Sequence, residues 1–116
     1  MKDKIIVGLT EPSTVIGNNG EKIIVTSRID SGATFSSIDS ELAKKLGYGP
    51  VIRHKIVKSA SGVKRRPVVK AQIEIEGRIF DTEMTTADRS HMTYPVLVGQ
   101  NILKKGFLID PCKVTK

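Results

Sequence analysis

An acidic turn that directly follows a β-strand pattern constrains this chain more than any other feature. Residues 23–29 read Ile-Ile-Val-Thr-Ser-Arg-Ile, and β-branched residues of this kind favour a pleated, half-buried strand over a helix. The next four residues, Asp30-Ser31-Gly32-Ala33, combine an acid with a glycine that permits a sharp reversal and with small neighbours. The sequence therefore predicts that a rigid strand end presents the Asp30 carboxylate. The alternative is an ordinary Asx turn, which uses the same residue types.

A second segment, later in the chain, strengthens the interpretation of this turn as functional. Residues 94–103 read Tyr-Pro-Val-Leu-Val-Gly-Gln-Asn-Ile-Leu, an apolar strand that ends at Gly99 and leads into a short helix. Together with Asp-Ser-Gly-Ala at 30–33, this segment resembles the retropepsin-like aspartic peptidases. That family has Asp-Ser/Thr-Gly-Ala after an apolar strand and, later, an apolar-apolar-Gly-Arg-Asn/Asp-apolar-Leu segment. The resemblance implies that Gly99, Gln100 and Asn101 support the loop around a catalytic Asp30.

The longer string at residues 88–99 is similar to one bacterial and archaeal branch of that superfamily. Its members are labelled ATP-dependent zinc proteases, and some are linked with ligases that add glutamates to a ribosomal protein. The resemblance covers residues 22–111 and implies an all-β fold, a closed or partly closed barrel with one or two short α-helices. With 116 residues, 39% of them hydrophobic, residues 1–116 are expected to form a single domain.

The mechanism that the resemblance implies requires two carboxylates that share one proton, because like charges about 3 Å apart cannot both ionise. Asp30 alone has the required context, and the chain is too short for a second lobe. Activity would therefore require a homodimer in which Asp30 of each subunit meets on the two-fold axis. Ser31 would then form a hydrogen bond across the axis, and Gly32 would leave room for the substrate backbone.

Two positions depart from the family pattern. Gln100 stands where the family usually has Arg, and Thr34 stands where the retroviral members have the acid that pairs with it. Because both charges are absent together, no unpaired buried charge results, and a neutral hydrogen bond can replace the ion pair. Arg89 could take over part of this role, although an exposed loop arginine is the favoured interpretation.

The remaining pattern predicts mainly strands. Asp39 is expected to cap a helix that runs through Leu46 and stops at Gly47, and a second helix is expected at residues 100–105. Residues 86–94 read as a polar loop. Strands are predicted at residues 5–9, 23–29, 51–57, 63–75, 78–85, 95–98 and 107–109.

The strands at 51–57 and 63–75 form a hairpin with small residues at its tip, and the resemblance identifies it as the flap. Pro67 in the second arm favours a sheet edge at that point. The resemblance implies substrate-binding residues at the tip and on the second arm: Ser59, Ala60, Ser61, Gly62, Lys64, Arg65 and Arg66.

The net charge of +7 is concentrated in this hairpin, because residues 53–70 carry seven Lys and Arg side chains and no acid. One interpretation is a solvated sheet edge whose charges prevent strand pairing. The other is a field over the cleft that attracts an acidic peptide or nucleic acid. An acidic peptide is favoured over nucleic acid, because the run lacks interleaved aromatic residues for base stacking.

No cofactor or metal is predicted. His54 and His91 are isolated, Cys112 is the single cysteine, and no Gly-rich loop with Lys-Ser/Thr is present. The apolar run at residues 5–9 is too short for a signal peptide or a membrane span, so we expect a cytoplasmic protein with no membrane partner.

Two functional hypotheses follow. The first is an aspartic endopeptidase, a hydrolase that pairs with itself and cleaves peptides or proteins, with acidic or glutamate-rich peptides as candidate substrates. The second is a non-catalytic retropepsin-fold binding module that docks an acidic protein or a nucleic acid at its basic flap. A dimer that brings two Asp30 carboxylates together would favour the first.

Overall fold

A computed structural model describes residues 3–60 and 62–114. In these residues the chain folds mainly into short strands, with two short helices between them. The strands are β1 (Ile5–Val7), β2 (Thr10–Ile16), β3 (Lys22–Ile29), β4 (Ser37–Asp39), β5 (Arg53–Ser59), β6 (Gly62–Ile75), β7 (Arg78–Ala87), β8 (Val96–Val98) and β9 (Phe107–Ile109). The helices are α1 (Ser40–Lys45) and α2 (Gln100–Leu103).

Six of the strands form a closed barrel. They follow one another in the order β2-β3-β8-β4-β7-β6, and antiparallel pairing between β2 and β6 closes the ring. Strand β5 pairs with the first part of β6, and β1 pairs in parallel with β9. The prediction of an all-β closed barrel with short helices is confirmed.

The core lies inside this ring and consists mainly of Ile and Val side chains. Val96 and Val98 of β8, Ile38 of β4 and Met84 of β7 are fully buried. Burial of an aliphatic side chain of this size contributes about 1.5–3 kcal/mol, so a core with few aromatic residues can still hold the barrel together. Strand β6 belongs to the core from Val68 onward, whereas its first residues are exposed.

Helix α1 begins where the sequence predicts it. The Asp39 carboxylate accepts a hydrogen bond from the Leu42 N–H at 3.4 Å, and Gly47 takes a φ of +68° after the last turn. Ala43 and Leu46 are buried. Helix α2 is shorter than predicted, since it ends at Leu103 rather than at residue 105. No helix in residues 3–60 and 62–114 is long and apolar enough to cross a membrane.

Two strands escaped the sequence analysis. Strand β2 lies in a segment where Glu11 and Pro12 interrupt the apolar pattern, and the predicted strand at residues 5–9 ends at Val7. The structure accommodates Glu11 in a buried position, where its Oε2 accepts the Gly8 N–H at 2.7 Å and pairs with the Lys113 Nζ at 3.0 Å. Strand β4 has only three residues, too few for a period to be recognised.

Candidate active site

Asp30 follows β3 at the point where this strand pairs in parallel with β8. Its N–H donates to the Val98 carbonyl at 2.9 Å, and its Oδ1 accepts the Gly32 N–H at 2.9 Å. The Ala33 N–H donates to the Asp30 carbonyl at 3.2 Å. The acidic loop is therefore an Asx turn that fixes the carboxylate. Within the described residues, Asp30 Oδ2 accepts no hydrogen bond, and Asp30 borders an open cleft.

Gln100 joins the second segment to this turn. Its backbone N–H donates to the Ala33 carbonyl at 2.8 Å, and its side-chain Nε2 donates to the Ser31 carbonyl, also at 2.8 Å. The backbone and the neutral side chain of Gln100 thus each hold the acidic loop by one hydrogen bond, at the position where the family usually has Arg. The acceptors of these two hydrogen bonds are the backbone carbonyls of Ala33 and Ser31, and not the side chain of Thr34.

Gly99 lets the two segments touch. A Cβ at this buried position would lie 2.7 Å from the Phe35 carbonyl oxygen and 2.8 Å from the Ala33 carbonyl oxygen. Both obstacles are backbone atoms, which cannot move aside as a side chain can. The glycine is therefore required for the close approach of its segment to the acidic loop.

Asn101 fastens the loop to the barrel wall. Its Oδ1 accepts the Ser36 N–H at 2.9 Å and the Ser36 hydroxyl at 2.7 Å, and its Nδ2 donates to the Glu83 carbonyl at 2.9 Å. The Ser36 hydroxyl oxygen accepts the Gly99 N–H at 2.9 Å. Ser36 is fully buried, yet a lone serine in a sequence carries no signal for such a role.

The acidic loop opens onto a cleft of about 570 Å³. A second wall comes from the hairpin of β5 and β6, and a third wall comes from the loop between β7 and β8. Charged residues of both signs line this cleft: Asp30, Lys55, Lys58, Arg66, Asp88 and Arg89.

We call residues 53–68 the flap hairpin. Lys55 lies opposite Arg66, and Ser59 lies opposite Gly62, whose φ is +120°. The first arm runs two residues further than predicted, and Ala60 at the tip is exposed.

Of the flap residues predicted to bind substrate, Ser61 lies outside the described residues. Arg66 borders the cleft, whereas the exposed Lys64 and Arg65 are not among the described residues that line it.

Some positive charges of the flap hairpin already have a partner within the protein. Arg53 forms an ion pair with Glu83 at 2.6 Å, and this hydrogen bond lowers the pKa of the Glu83 carboxyl. The Lys55 Nζ lies 4.9 Å from the centroid of the Phe35 ring, close enough for a cation–π interaction. The count of seven charges in the sequence therefore overstates the charge that is available to a ligand.

Arg89 is not the exposed loop arginine that the sequence favoured. It is half-buried and lines the cleft, and its Nε donates to the Tyr94 carbonyl at 3.1 Å. Its backbone N–H donates to Asp39 Oδ1 at 2.8 Å. The loop predicted at residues 86–94 begins only after Ala87, where β7 ends, and its sequence shows no helix or strand pattern that could have indicated the position of Arg89.

The part of the chain that the structure describes contains no group of three or more His, Cys, Asp or Glu side chains placed to hold a metal ion. His54 and His91 are both exposed, as is Cys112.

Comparison with known proteins identifies the family of this chain. A sequence model described as RimB-like, retropepsin-like aspartic endopeptidase RimB, matches residues 39–115, more than half of the chain. The chain belongs to this family. The matched range begins after Asp30, so the family assignment and the geometry of the acidic loop are separate observations.

A curated relative of this RimB-like chain is a probable alpha-L-glutamate ligase from Desulfotalea psychrophila, 30% identical over 63 residues. The match covers 53% of this chain and 14% of the relative. The chain thus corresponds to a small part of that protein.

Solved structures share the RimB-like fold over most of the chain. A Legionella pneumophila protein of unknown function superposes with a TM-score of 0.65 at 18% identity, covering 96% of both chains. The EIAV protease, solved with an inhibitor, has a TM-score of 0.61 at 21% identity, covering 82% of this chain and 86% of its own. The retropepsin fold predicted from the sequence is confirmed.

Proposed function

We propose that this chain forms a single retropepsin-like domain that acts as an aspartic endopeptidase when two copies pair and each contributes Asp30. The observation that carries the proposal is the fixed acidic turn, which borders the same cleft as the flap hairpin and is held by residues 99–101. Membership in the RimB-like family supports the reaction class.

The chemistry requires one ionised and one protonated carboxyl group. The ionised Asp30 takes a proton from a water molecule as the water oxygen attacks the scissile carbonyl carbon. The protonated Asp30 of the second copy donates its proton to the carbonyl oxygen, which gives a tetrahedral diol. Collapse of the diol breaks the C–N bond: the Asp30 that took the water proton donates it to the leaving nitrogen, and the other Asp30 accepts a proton from a diol hydroxyl. Ser31 would bind across the pair, and Gly32 would leave space for the substrate backbone.

Dilution tests this proposal directly. Because each active site needs two chains, the activity per chain should fall as the concentration drops below the dissociation constant of the dimer. Peptide cleavage and the sedimentation coefficient should change over the same concentration range. Constant activity per chain in a strictly monomeric sample would contradict the shared site. A dimer that binds peptides without cleaving them would favour the binding-module hypothesis.

We further propose that the substrate is acidic. Four cationic side chains and two carboxylates line the cleft, so its charge is positive. Two relatives that match 53% of this chain are named probable alpha-L-glutamate ligases, which supports a glutamate-rich substrate. Among the described residues that line the cleft, Phe35 is the one aromatic side chain, and Lys55 covers its ring, so stacked bases are disfavoured.

A glutamate-rich peptide should associate faster than a neutral scrambled control at low salt. The advantage should shrink as ionic strength approaches physiological values, where the Debye length is about 8 Å. Replacing Lys64, Arg65 and Arg66 with Gln should slow association several-fold at low salt and leave the rate of the chemical step unchanged. Stopped-flow binding and single-turnover cleavage measure the two rates.

A matched variant removes three positive charges away from the cleft, at the exposed positions Lys44, Lys45 and Lys104. It should keep most of the advantage for the acidic peptide, because these side chains do not line the cleft and the interaction between charges weakens with distance. Equal association of the two peptides with the unmodified protein at low salt would show that the flap charges only solvate a sheet edge.

A further inference from the structure

Two arginines from separate elements border the same cleft. Arg66 lies on the flap hairpin and Arg89 lies in the loop between β7 and β8, and both are half-buried. Burial lowers the pKa of Arg89 most, the nearby charge of Arg66 lowers it further, and the negative charge of Asp39 opposes this. Arg66 and Arg89 repel each other, and both are partly removed from water. The free energy of the unliganded cleft is therefore raised.

Carboxylates near Arg89 are already engaged with other groups. Asp39 Oδ1 accepts the backbone N–H of Arg89, and Asp39 Oδ2 accepts the N–H of Leu42. Asp88 Oδ1 accepts both the N–H and the hydroxyl of Ser90, at 3.0 and 2.6 Å. In residues 3–60 and 62–114, neither Arg66 nor Arg89 forms an ion pair.

Arg89 is nevertheless well positioned. Its backbone N–H and its Nε are both bonded, to Asp39 and to the Tyr94 carbonyl, so the direction of the side chain is fixed. The two terminal nitrogens of the guanidinium make no hydrogen bond within the described residues. A planar guanidinium fixed at Nε can still offer N–H donors to a carboxylate from its terminal nitrogens.

The flap side of the cleft adds to the positive charge. Lys55 is the direct cross-strand neighbour of Arg66, and like charges at such positions destabilise a hairpin. Lys55 lies over the Phe35 ring. No described residue supplies a carboxylate that pairs with Arg66, so a bound anion would relieve this repulsion.

We propose that Arg66 and Arg89 form a subsite that binds one carboxylate group of the substrate and thereby determines specificity. The inference rests on the proposed function, since it treats the cleft beside Asp30 as a substrate site. The carboxylate can come from an acidic side chain or from the C-terminus of a peptide. Both sources present the same planar pair of oxygens, which suits arginine better than lysine.

Binding to the Asp30→Asn variant tests the subsite without any hydrolysis. Four peptides of one sequence carry either Glu or Gln at a single position and either a free or an amidated C-terminus. Isothermal titration at low salt should show at least about tenfold tighter binding for the peptide with the preferred carboxylate than for its neutral counterpart. Loss upon Glu-to-Gln exchange assigns the side chain, and loss upon amidation assigns the terminus.

Substitutions then locate the effect. Arg66→Gln and Arg89→Gln should each remove most of the preference while leaving the affinity for the neutral peptide nearly unchanged. The double variant should lose little more than the larger single loss, because both side chains bind one group. Arg89→Lys keeps the charge but loses the planar fork, so an intermediate preference is expected. Lys44→Gln, which removes an exposed charge outside the cleft, should retain the preference.

Equal affinity for all four peptides, or the same loss in Lys44→Gln as in Arg66→Gln, would overturn the subsite. If Arg89→Gln loses its fold by circular dichroism, Arg66→Gln and Arg89→Lys still decide the question. Failure of the unmodified protein to cleave any of the peptides would contradict the peptidase proposal instead, because the titrations require no turnover.

Discussion

Replacement of Asp30 by Asn is expected to abolish peptide cleavage while leaving the fold intact. Asn matches Asp in shape, and its side-chain oxygen can still accept the Gly32 N–H that closes the Asx turn. It cannot take a proton from water, and general acid–base catalysis of this kind contributes about 10²–10⁴-fold. We expect kcat to fall by on the order of 10³-fold or more, because both copies lose their carboxyl group. Single-turnover cleavage and a thermal unfolding curve measure the two properties.

Asp88 provides the matched control, since it is the other carboxylate among the described residues that line the cleft. Asp88→Asn should retain most of the cleavage activity, because an amide oxygen can still accept the hydrogen bonds from Ser90. Undiminished turnover by Asp30→Asn would refute the aspartic mechanism. Loss of turnover in Asp88→Asn alone would move the catalytic role to the loop between β7 and β8.

The parts of the site that could be predicted are those encoded in a contiguous stretch. The acidic turn follows a strand whose β-branched residues are visible at once, and the segment 99–101 carries a glycine directly after an apolar strand. A neutral hydrogen bond from Gln100 was expected to replace the ion pair of the family's arginine, and its side chain donates to the Ser31 carbonyl. Its acceptor could not be foreseen, since a backbone carbonyl leaves no mark in the sequence.

The parts that could not be predicted depend on contacts between distant residues. Glu11 interrupts the pattern of β2, and the cation that pairs with it, Lys113, is about a hundred residues away along the chain. Arg53 is likewise paired with Glu83, so the sum of charges over residues 53–70 did not reveal how many remain available. Arg89 belongs to the cleft only because Asp39 and Tyr94 hold its loop there.

Gly99→Ala should be among the most damaging single-methyl changes near the cleft. The added Cβ would lie 2.7 Å from the Phe35 carbonyl oxygen and 2.8 Å from that of Ala33. Either the acidic loop or the start of α2 must shift, which strains the bonds that Gln100 makes to the loop. Overpacking of this kind costs about 1–3 kcal/mol, and contact with backbone places this case at the upper end. We expect Tm to fall by roughly 10 °C and cleavage to be lost even below the new Tm.

Gly77→Ala separates the loss of stability from the loss of cleavage, because it should destabilise the protein for a different reason. Gly77 lies in the turn between β6 and β7 with a φ of +78°, and nothing lies within 4 Å of an added Cβ. The cost there is backbone strain alone, about 1–2 kcal/mol. This variant should therefore lose some thermal stability yet retain its kcat, because the turn does not touch the acidic loop. If Gly99→Ala kept full activity while losing stability as Gly77→Ala does, the close approach at Gly99 would serve packing alone, and positioning of Asp30 would have to rest on Gln100 and Asn101.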